Sequence, residues 1–380
     1  MSSKKKVLIT FLGNINYDTR CKNLYDTLTT YGYEVEFLGF DWMTKGFVDE
    51  QGNISIFKLK KGFLPLSFYL KFIWHIKLKL LKTKASIIFA EDIYTLPFVV
   101  IFGKLKRAKI YYDSRELFGF LAGLKEKKLK QLFWKWTEKI FIKKADYVMV
   151  TGAMDGEFLN KEYGFKNIIL LRNLPRYYKP TLKLDLHSHL QIHKAKKIII
   201  YQGVLLKGRG IEKVFEVLKN LPEYVFAIAG GGEYEVYYKK LAQEMKIIDQ
   251  VYFLGKLTQE ELPKVTASAD VGVSLIENLS TSYYYALPNK LFEYIMAEVP
   301  VIVSNLPQMK EVVEKFDVGF AIDIENKADL KSALKKLTED TSLNESKKQN
   351  CHIASQELNW EKEVTGLLKT LNSISHSESR

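Results

Sequence analysis

The stretch Lys197-Ile198-Ile199-Ile200-Tyr201-Gln202-Gly203-Val204-Leu205-Leu206-Lys207-Gly208-Arg209-Gly210-Ile211 decides how this chain is read. Its β-branched run predicts a buried strand, the glycines end that strand in a turn, and an amphipathic helix begins at Ile211. Three glycines let the backbone approach a ligand closely. The helix start supplies N–H groups without helical partners, and Lys207 and Arg209 add mobile positive charge, so the segment outlines an anion site. Taken alone, it is equally an ordinary glycine-containing βα turn carrying exposed basic residues.

Working outward, the same alternation of short apolar runs and amphipathic stretches fills the chain. The first half gives strands at Val7–Leu12, Glu34–Phe40, Ile54–Leu59, Ser86–Ala90, Lys109–Tyr112, Tyr147–Val150 and Ile168–Leu171. The second gives Lys197–Tyr201, Tyr224–Ala229, Val251–Leu254, Val271–Leu275, Val301–Ser304 and Gly319–Ile322. This is the pattern of βα units wound into parallel sheets, and 380 residues are more than one core usually organises. The expected fold class is α/β, with two doubly wound parallel-sheet domains facing across a cleft. Residues 1–174 form the first domain, 175–196 an interdomain connection rich in Pro, His and Ser, 197–345 the second domain, and 346–380 a C-terminal helical segment that packs back on the first.

Composition narrows the class. Hydrophobic residues make up 47% and charged residues 27%, which is too apolar for a disordered chain. Cys21 and Cys351 stand far apart and offer neither a disulfide framework nor metal-ligand spacing, so a reducing cytoplasm is expected. The start at Lys4-Lys5-Lys6 followed by Val7–Leu12 has too short an apolar run for a signal peptide and reads as the first strand. No 18-residue apolar run predicts a spanning helix. His187, His189 and His193 lie in a solvated tract without carboxylate or thiolate partners, so no metal site is assigned to them.

In open parallel sheets, ligands bind beyond the carboxyl ends of strands, which directs attention to the residues following each one. Leu287-Pro288-Asn289-Lys290-Leu291-Phe292-Glu293-Tyr294 starts a helix with Glu293 one turn inside, flanked by apolar side chains. A carboxylate there is costly to bury without partners, and a pair of ribose hydroxyls would satisfy it. It also reads as a first-turn glutamate complementing the helix dipole. Gly230-Gly231-Gly232 and Gly255 end two further strands as close-approach or simple tight turns. In the first half, Gly13-Asn14 ends the first strand, Asp18 and Arg20 open the next helix, and Tyr112-Asp113-Ser114-Arg115-Glu116 follows the strand at Lys109. Asp18, Asp113 and Glu116 also fit as helix caps.

Together these segments resemble the retaining bacterial glycosyltransferases of the GT-B fold known as family 4, over nearly the whole chain. Gly203–Gly210 is similar to that family's glycine and Lys-Gly loop, with Arg209-Gly210 at the Lys-Gly position. Tyr285–Glu293 lies over its pair of glutamates separated by seven residues. Asp18-Thr19-Arg20, Tyr112–Glu116 and Asn359-Trp360-Glu361 are also similar to family segments. The resemblance implies that the second domain binds a nucleotide diphosphate sugar and the first an acceptor. Glu293 would then hold the ribose, and the backbone around Asn289, Lys290 and Leu291 would hold the diphosphate together with Arg209 and Lys207. Gly13, Gly203, Gly230 and Tyr285 complete the donor side, and Asp18, Arg20, Asp113 and Glu116 the acceptor side. Arg209, Lys207 and Arg115 would stabilise charge growing on the leaving phosphate. Three departures stand out: Tyr285 replaces the first glutamate, Val204 stands where an arginine is usual, and Arg115 where many relatives have histidine. Guanidinium cannot serve as a general base at neutral pH.

No Asp-x-Asp motif is present, and no cofactor or essential metal is expected. The net charge of +13 suits phosphorylated small molecules, anionic lipid or nucleic acid, but no nucleic-acid recognition motif accompanies it. Between Gln51 and Ala90 there are eight lysines and no acid. Within this region Pro65–Thr83 interleaves aromatic and aliphatic residues with Lys71, Lys77, Lys79 and Lys82. It reads as an interfacial helix on an anionic membrane or as a core helix with snorkelling lysines. The expected product of this reading is a cytoplasmic, peripheral enzyme of bacterial polysaccharide biosynthesis acting on a lipid-linked acceptor. A nucleotide-sugar epimerase of the same fold and a non-catalytic sugar-binding subunit are the alternatives.

Overall fold

The computed structural model of the protein describes residues 5–41, 52–59 and 65–377; Lys4, Lys60, Lys61 and the last three residues of the expected C-terminal segment lie outside that range. The chain divides into two compact units, Met1–Leu171 with Gly366–Arg380, and Arg172–Thr365.

The first unit carries β1 (Lys6–Thr10), β2 (Glu34–Asp41), β3 (Ile54–Lys58), β4 (Ile87–Ala90), β5 (Lys109–Ser114), β6 (Tyr147–Val150) and β7 (Ile168–Leu170). All pair in parallel, in the order β3-β2-β1-β4-β5-β6-β7. Parallel neighbours require crossovers, supplied here by α1 (Thr19–Thr30), α2 (Pro65–Lys82), α3 (Leu96–Leu105), α4 (Lys128–Ile142) and α5 (Ala153–Tyr163). Helices cover both faces of such a sheet, which is why β4 reads Ile-Ile-Phe-Ala with every residue buried.

The second unit repeats the plan with β8 (Lys197–Gln202), β9 (Tyr224–Ala229), β10 (Val251–Gly255), β11 (Val271–Ser274), β12 (Val301–Ser304) and β13 (Gly319–Ile322) in the parallel order β10-β9-β8-β11-β12-β13. Its helices are α6 (Leu186–His189), α7 (Ile211–Leu218), α8 (Glu235–Glu244), α9 (Glu261–Thr266), α10 (Thr281–Tyr284), α11 (Asn289–Met296), α12 (Pro307–Phe316), α13 (Lys327–Glu339), α14 (Thr341–Glu357) and α15 (Trp360–Glu363); α16 (Thr365–Ser377) follows. Strand order reverses between β1 and β4 in one unit and between β8 and β11 in the other. A doubly wound sheet opens a ligand crevice at such a reversal.

The stretch 175–196 packs within the second unit rather than running free. Leu174 and Leu186 join the core of Ile198 and Ile200, and the Trp360 amide donates to the Pro175 carbonyl at 2.9 Å. Glu363 accepts from the Arg172 guanidinium at 2.6 Å and from the Arg172 amide at 2.8 Å. The helical segment read as 346–380 is shared: α14 buries Cys351 and Ala354 in the second unit's core, whereas the chain from Gly366 onward belongs to the first unit. There Thr370 lies 3.4 Å from the Tyr111 hydroxyl, and Leu367 and Leu371 are buried.

Candidate functional site

In the second unit the β8 strand delivers Gln202 and Gly203 to the carboxyl edge of the sheet. Gly203 and Gly230 both have positive φ, and a Cβ on Gly230 would sit 1.9 Å from the Gly203 carbonyl oxygen. The two loops therefore meet backbone to backbone, a contact that a side chain at Gly230 would break. Helix α11 starts beside them. Its residue Lys290 is buried, and the Lys290 ammonium lies over the Tyr201 ring, 3.6 Å from the centroid. A Cβ on Gly203 would lie 3.5 Å from that same nitrogen, so the ammonium borders the glycine loop. Burial, then the nearby Arg209 charge, hold the Lys290 pKa well below its ordinary value, with Glu293 opposing.

One turn further along α11, Glu293 is half-buried and held by two amide donors. Gln202 Nε2 bonds one carboxylate oxygen, and Asn289 Nδ2 bonds the other at 3.2 Å. Gln202 is fixed in turn because its Oε1 accepts from Thr266 Oγ at 2.7 Å. Burial raises the Glu293 pKa against those hydrogen bonds. Arg209 is half-buried with its guanidinium 5.1 Å from the Tyr283 ring centroid, and Lys207 is exposed. Tyr285 ends α10 and is tied down through its carbonyl, which accepts from Gln308 Nε2. Leu291 offers no ligand group: its side chain is in the core and its amide donates to the Pro288 carbonyl at 3.2 Å. The sequence-expected donor residues Gly203, Gly230, Lys290, Arg209 and Glu293 thus converge on one sheet edge.

The first unit gathers charge at the β1/β4 reversal. Arg115 donates to Asp18 at 2.6 Å, to Glu91 at 2.8 Å and to the Cys21 sulfur at 3.0 Å, and its guanidinium stacks 4.5 Å from the Phe11 ring centroid. Asp18 serves twice, since its other oxygen caps α1 by accepting from the Cys21 amide at 2.8 Å. Burial raises the Asp18 pKa, but Arg115 brings it below its ordinary value. Arg20 and Asp113 form a bidentate pair at 2.6 and 2.8 Å and are both buried, with Arg20 also reaching the Leu171 carbonyl at 2.6 Å. They order the crevice rather than line it. Glu116 is exposed, and Gly13 sits in the loop after β1 with its carbonyl bonded to the Phe40 amide at 2.8 Å. His187 bonds the Lys196 carbonyl and His193 accepts from the Ala195 amide, so both serve local turns.

Residues 183–353, most of the second unit, match the model of the family "Glycosyl transferases group 1". Similarity to curated and solved glycosyltransferases extends over the whole fold. An uncharacterized glycosyltransferase of Methanocaldococcus jannaschii is 23% identical over 321 residues, covering 79% of this chain and 78% of its own. The chitobiosyldiphosphodolichol beta-mannosyltransferase of Candida glabrata is 23% identical over 373 residues, covering 84% and 80%. Sucrose-phosphate synthase from Thermosynechococcus elongatus has a TM-score of 0.81 at 17% identity, covering 98% of this chain and 100% of its own. Anabaena HepE in complex with UDP-glucose has a TM-score of 0.71 at 16% identity, covering 97% and 99%.

The chain has the GT-B fold, and its second unit carries the match to the glycosyl transferases group 1.

Within the first unit the residue that sequence reading missed is Glu91. It follows β4 directly, is fully buried, and its Oε1 has no hydrogen-bond partner among the described residues. Burial and the Asp113 charge push its pKa up to about 7, against the pull of Arg115 and Arg20. The signal was available: Glu91-Asp92 stands beyond the strand at the sheet reversal, where the rule used for the other strands points. Asp92 accepts from the Leu12 and Thr95 amides at 2.6 and 2.7 Å and so joins the β1 loop to the start of α3.

Proposed function

We propose that this protein is a glycosyltransferase that moves a hexose or related sugar from a nucleotide diphosphate sugar to a hydroxyl of a lipid-linked glycan or polysaccharide precursor, with retention of configuration. The setting in this reading is the inner face of a bacterial cell membrane, in a cell-surface pathway. What supports it most directly is the start of α11, where one turn of helix carries a buried cation and a carboxylate held by amide donors. A ribose diol can donate to Glu293, and a diphosphate can take the ammonium of Lys290, the guanidinium of Arg209, Lys207 and the N–H groups at the helix start. Catalysis then consists mainly of stabilising negative charge that grows on the departing phosphate, for which preorganised cations are suited. With those cations in place, the reading needs no essential metal.

The lipid-linked acceptor draws support from the yeast relative, whose name describes mannosyl transfer to a dolichol-linked chitobiosyl diphosphate. The donor class draws support from HepE, solved with UDP-glucose. Tyr285 in place of the first glutamate leaves a hydroxyl where a carboxylate would contact the sugar, and this alters which sugar hydroxyls can be recognised. Retention rests on the resemblance to family 4.

A melting-temperature panel of nucleoside diphosphates and their sugars tests the donor assignment, because a ligand that binds only the folded state stabilises it by mass action. One base should raise the melting temperature and the others should not. Turnover with that donor, followed by the anomeric coupling of the product, reports on retention. Absence of any nucleotide-dependent shift would remove the proposal.

A further inference from the structure

Helix α4 is amphipathic in an unusual sense: both of its faces are apolar, and only one is covered. Its inner face packs Trp134 edge-on against Tyr94 and Phe118, at 5.0 and 5.1 Å between ring centroids, and buries Glu138 and Ile142. The opposite face carries Leu129, Leu132, Phe133, Trp136 and Ile140 at spacings of three and four residues, all exposed, Leu129 by 85% and Trp136 by 65%. Helix α3 packs between α4 and α2 and exposes Ile101 and Leu105. Helix α2 does as α4 does. Phe68, Phe72, Ile76 and Leu80 point inward, and Tyr69, Leu70, Ile73, Trp74 and Leu81 point out. Three neighbouring helices of one unit thus share a broad apolar face, larger in kind than the scattered exposed residues that need no explanation.

The charges around this face say what covers it. Between residues 125 and 144 seven lysines are exposed and only one acid, Glu126, is; the other acid, Glu138, is turned inward and bonded to Tyr112 and Tyr163. On α2, Lys71, Lys77 and Lys82 are exposed, whereas Lys79 is occupied by Glu36 at 2.6 Å. A second copy of this chain laid on the same face would bring two sets of lysines together, which disfavours self-association. Aromatic and aliphatic side chains ringed by lysines match the boundary between acyl chains and anionic headgroups.

We propose that the α2–α3–α4 face of the first unit docks on an anionic lipid bilayer, with α4 as the principal inserting element. The inference deepens the membrane setting of the proposed function and uses no residue of the donor site, so its failure leaves the donor assignment standing. Charge draws the face to the surface and is screened by salt; the inserted aromatic surface holds it there and is much less sensitive to salt.

The test is sedimentation of the full chain with phosphatidylcholine vesicles with and without phosphatidylglycerol, at low and physiological salt. The parent should bind the anionic vesicles. Replacing Leu132, Phe133 and Trp136 together with Ser should weaken binding about tenfold or more at both salt levels, since bound apolar area is lost. Replacing Lys128, Lys130, Lys139 and Lys143 with Gln should weaken it mainly at low salt. The pair Ile73→Ser and Trp74→Ser should cost less than the α4 triple change. All replaced side chains are exposed, and an unchanged melting temperature and far-ultraviolet circular dichroism spectrum would verify folding. If the triple variant fails that check, the lysine variant carries the test. Parent protein that ignores anionic vesicles at low salt overturns the proposal, as does undiminished binding by the folded variants. A concentration-dependent dimer that the triple change dissolves, with vesicle binding absent, assigns the face to a second copy instead.

Discussion

The Lys290 ammonium rests 3.6 Å from the centroid of the Tyr201 ring, at the carboxyl end of the central strand of the second unit. The ring face attracts the cation and partly replaces its lost water. Burial and the Arg209 charge nevertheless lower its pKa well below that of a free lysine. A positive charge that the free protein holds at some cost is stabilised when an anion arrives, so the proposed diphosphate binding would be coupled to the protonation of this one group.

Replacing Lys290 with Met should therefore weaken nucleoside diphosphate binding by about 10- to 150-fold, the range of a lost charge-assisted hydrogen bond, while leaving binding of the bare nucleoside nearly unchanged. In the parent, diphosphate affinity should fall as pH rises through the lowered Lys290 pKa, because binding must then take up a proton. Calorimetry across that range, in parent and variant, measures both effects. A variant with the parent's pH dependence would show that another group binds the phosphates.

For Glu293 the hydrogen-bond chain Thr266–Gln202–Glu293–Asn289 fixes both carboxylate oxygens. Glu293→Gln keeps the volume but sets a new amide donor against those of Gln202 or Asn289, and it removes the charge that a ribose diol would meet. Donor affinity should drop about tenfold or more, at roughly the strength of a charged hydrogen bond. Titration of the folded variant with the best nucleotide from the melting panel decides this, and parental affinity would take Glu293 out of the site.

How much of this was legible beforehand differs between the two units for a physical reason. All thirteen strands among the described residues were readable, since parallel strands buried on both faces are written as unbroken apolar runs such as Ile198-Ile199-Ile200. The residues that meet at the carboxyl edge of the second sheet were readable because glycine turns and the start of α11 are local features. Glu91 was not singled out, because its meaning comes from Arg115, Asp18 and Asp113, which reach it from other strands and helices. The exposed stripe of α4 escaped for the opposite reason. Its sequence is apolar on nearly every side, and only the packing of Trp134 and Glu138 shows which side is left uncovered. The return of the C-terminal segment to the first unit was expected, but its point of return at Gly366 was not legible, since it is set by long-range packing.

Arg115 binds three carboxylates, two of them, Glu91 and Asp113, fully buried. Arg115→Met should destabilise the first unit by about 3–5 kcal/mol, the cost of leaving buried charge uncompensated. The double variant with Glu91→Gln should recover part of that loss, since it removes the stranded carboxylate. Denaturant melts of parent, single and double variants form the cycle. A stable Arg115→Met protein that has lost only turnover would instead make Arg115 a group that contacts substrate.

The same unit should show a stability that falls as pH rises through the neutral range. Glu138 is wholly buried beneath α4, accepting from Tyr112 and Tyr163 at 2.8 and 3.1 Å, and burial pushes its pKa from 4.5 up to about 7 against those hydrogen bonds. Between these two values the folded chain holds a proton that the unfolded chain has released, so folding is favoured at the acid end of the window and loses ground above it. For Glu138 the difference amounts to about 3 kcal/mol between the two ends, and Glu91 acts in the same direction. Asp18 and Asp146, whose pKa values are lowered, act with the opposite sign but below the ordinary carboxylate range, outside this window; His75, whose pKa burial lowers from 6.5, opposes the slope within it, and Asp92, raised by burial, adds to it. The melting temperature should thus decline by several degrees from about pH 5 to about pH 7.5. Glu138→Gln, which cannot ionise, should flatten that slope, and Glu91→Gln should flatten it further. A profile that rises across the window, or one that Glu138→Gln leaves unchanged, would mean that this carboxyl is already ionised in the folded protein and that Tyr112 and Tyr163 stabilise the anion.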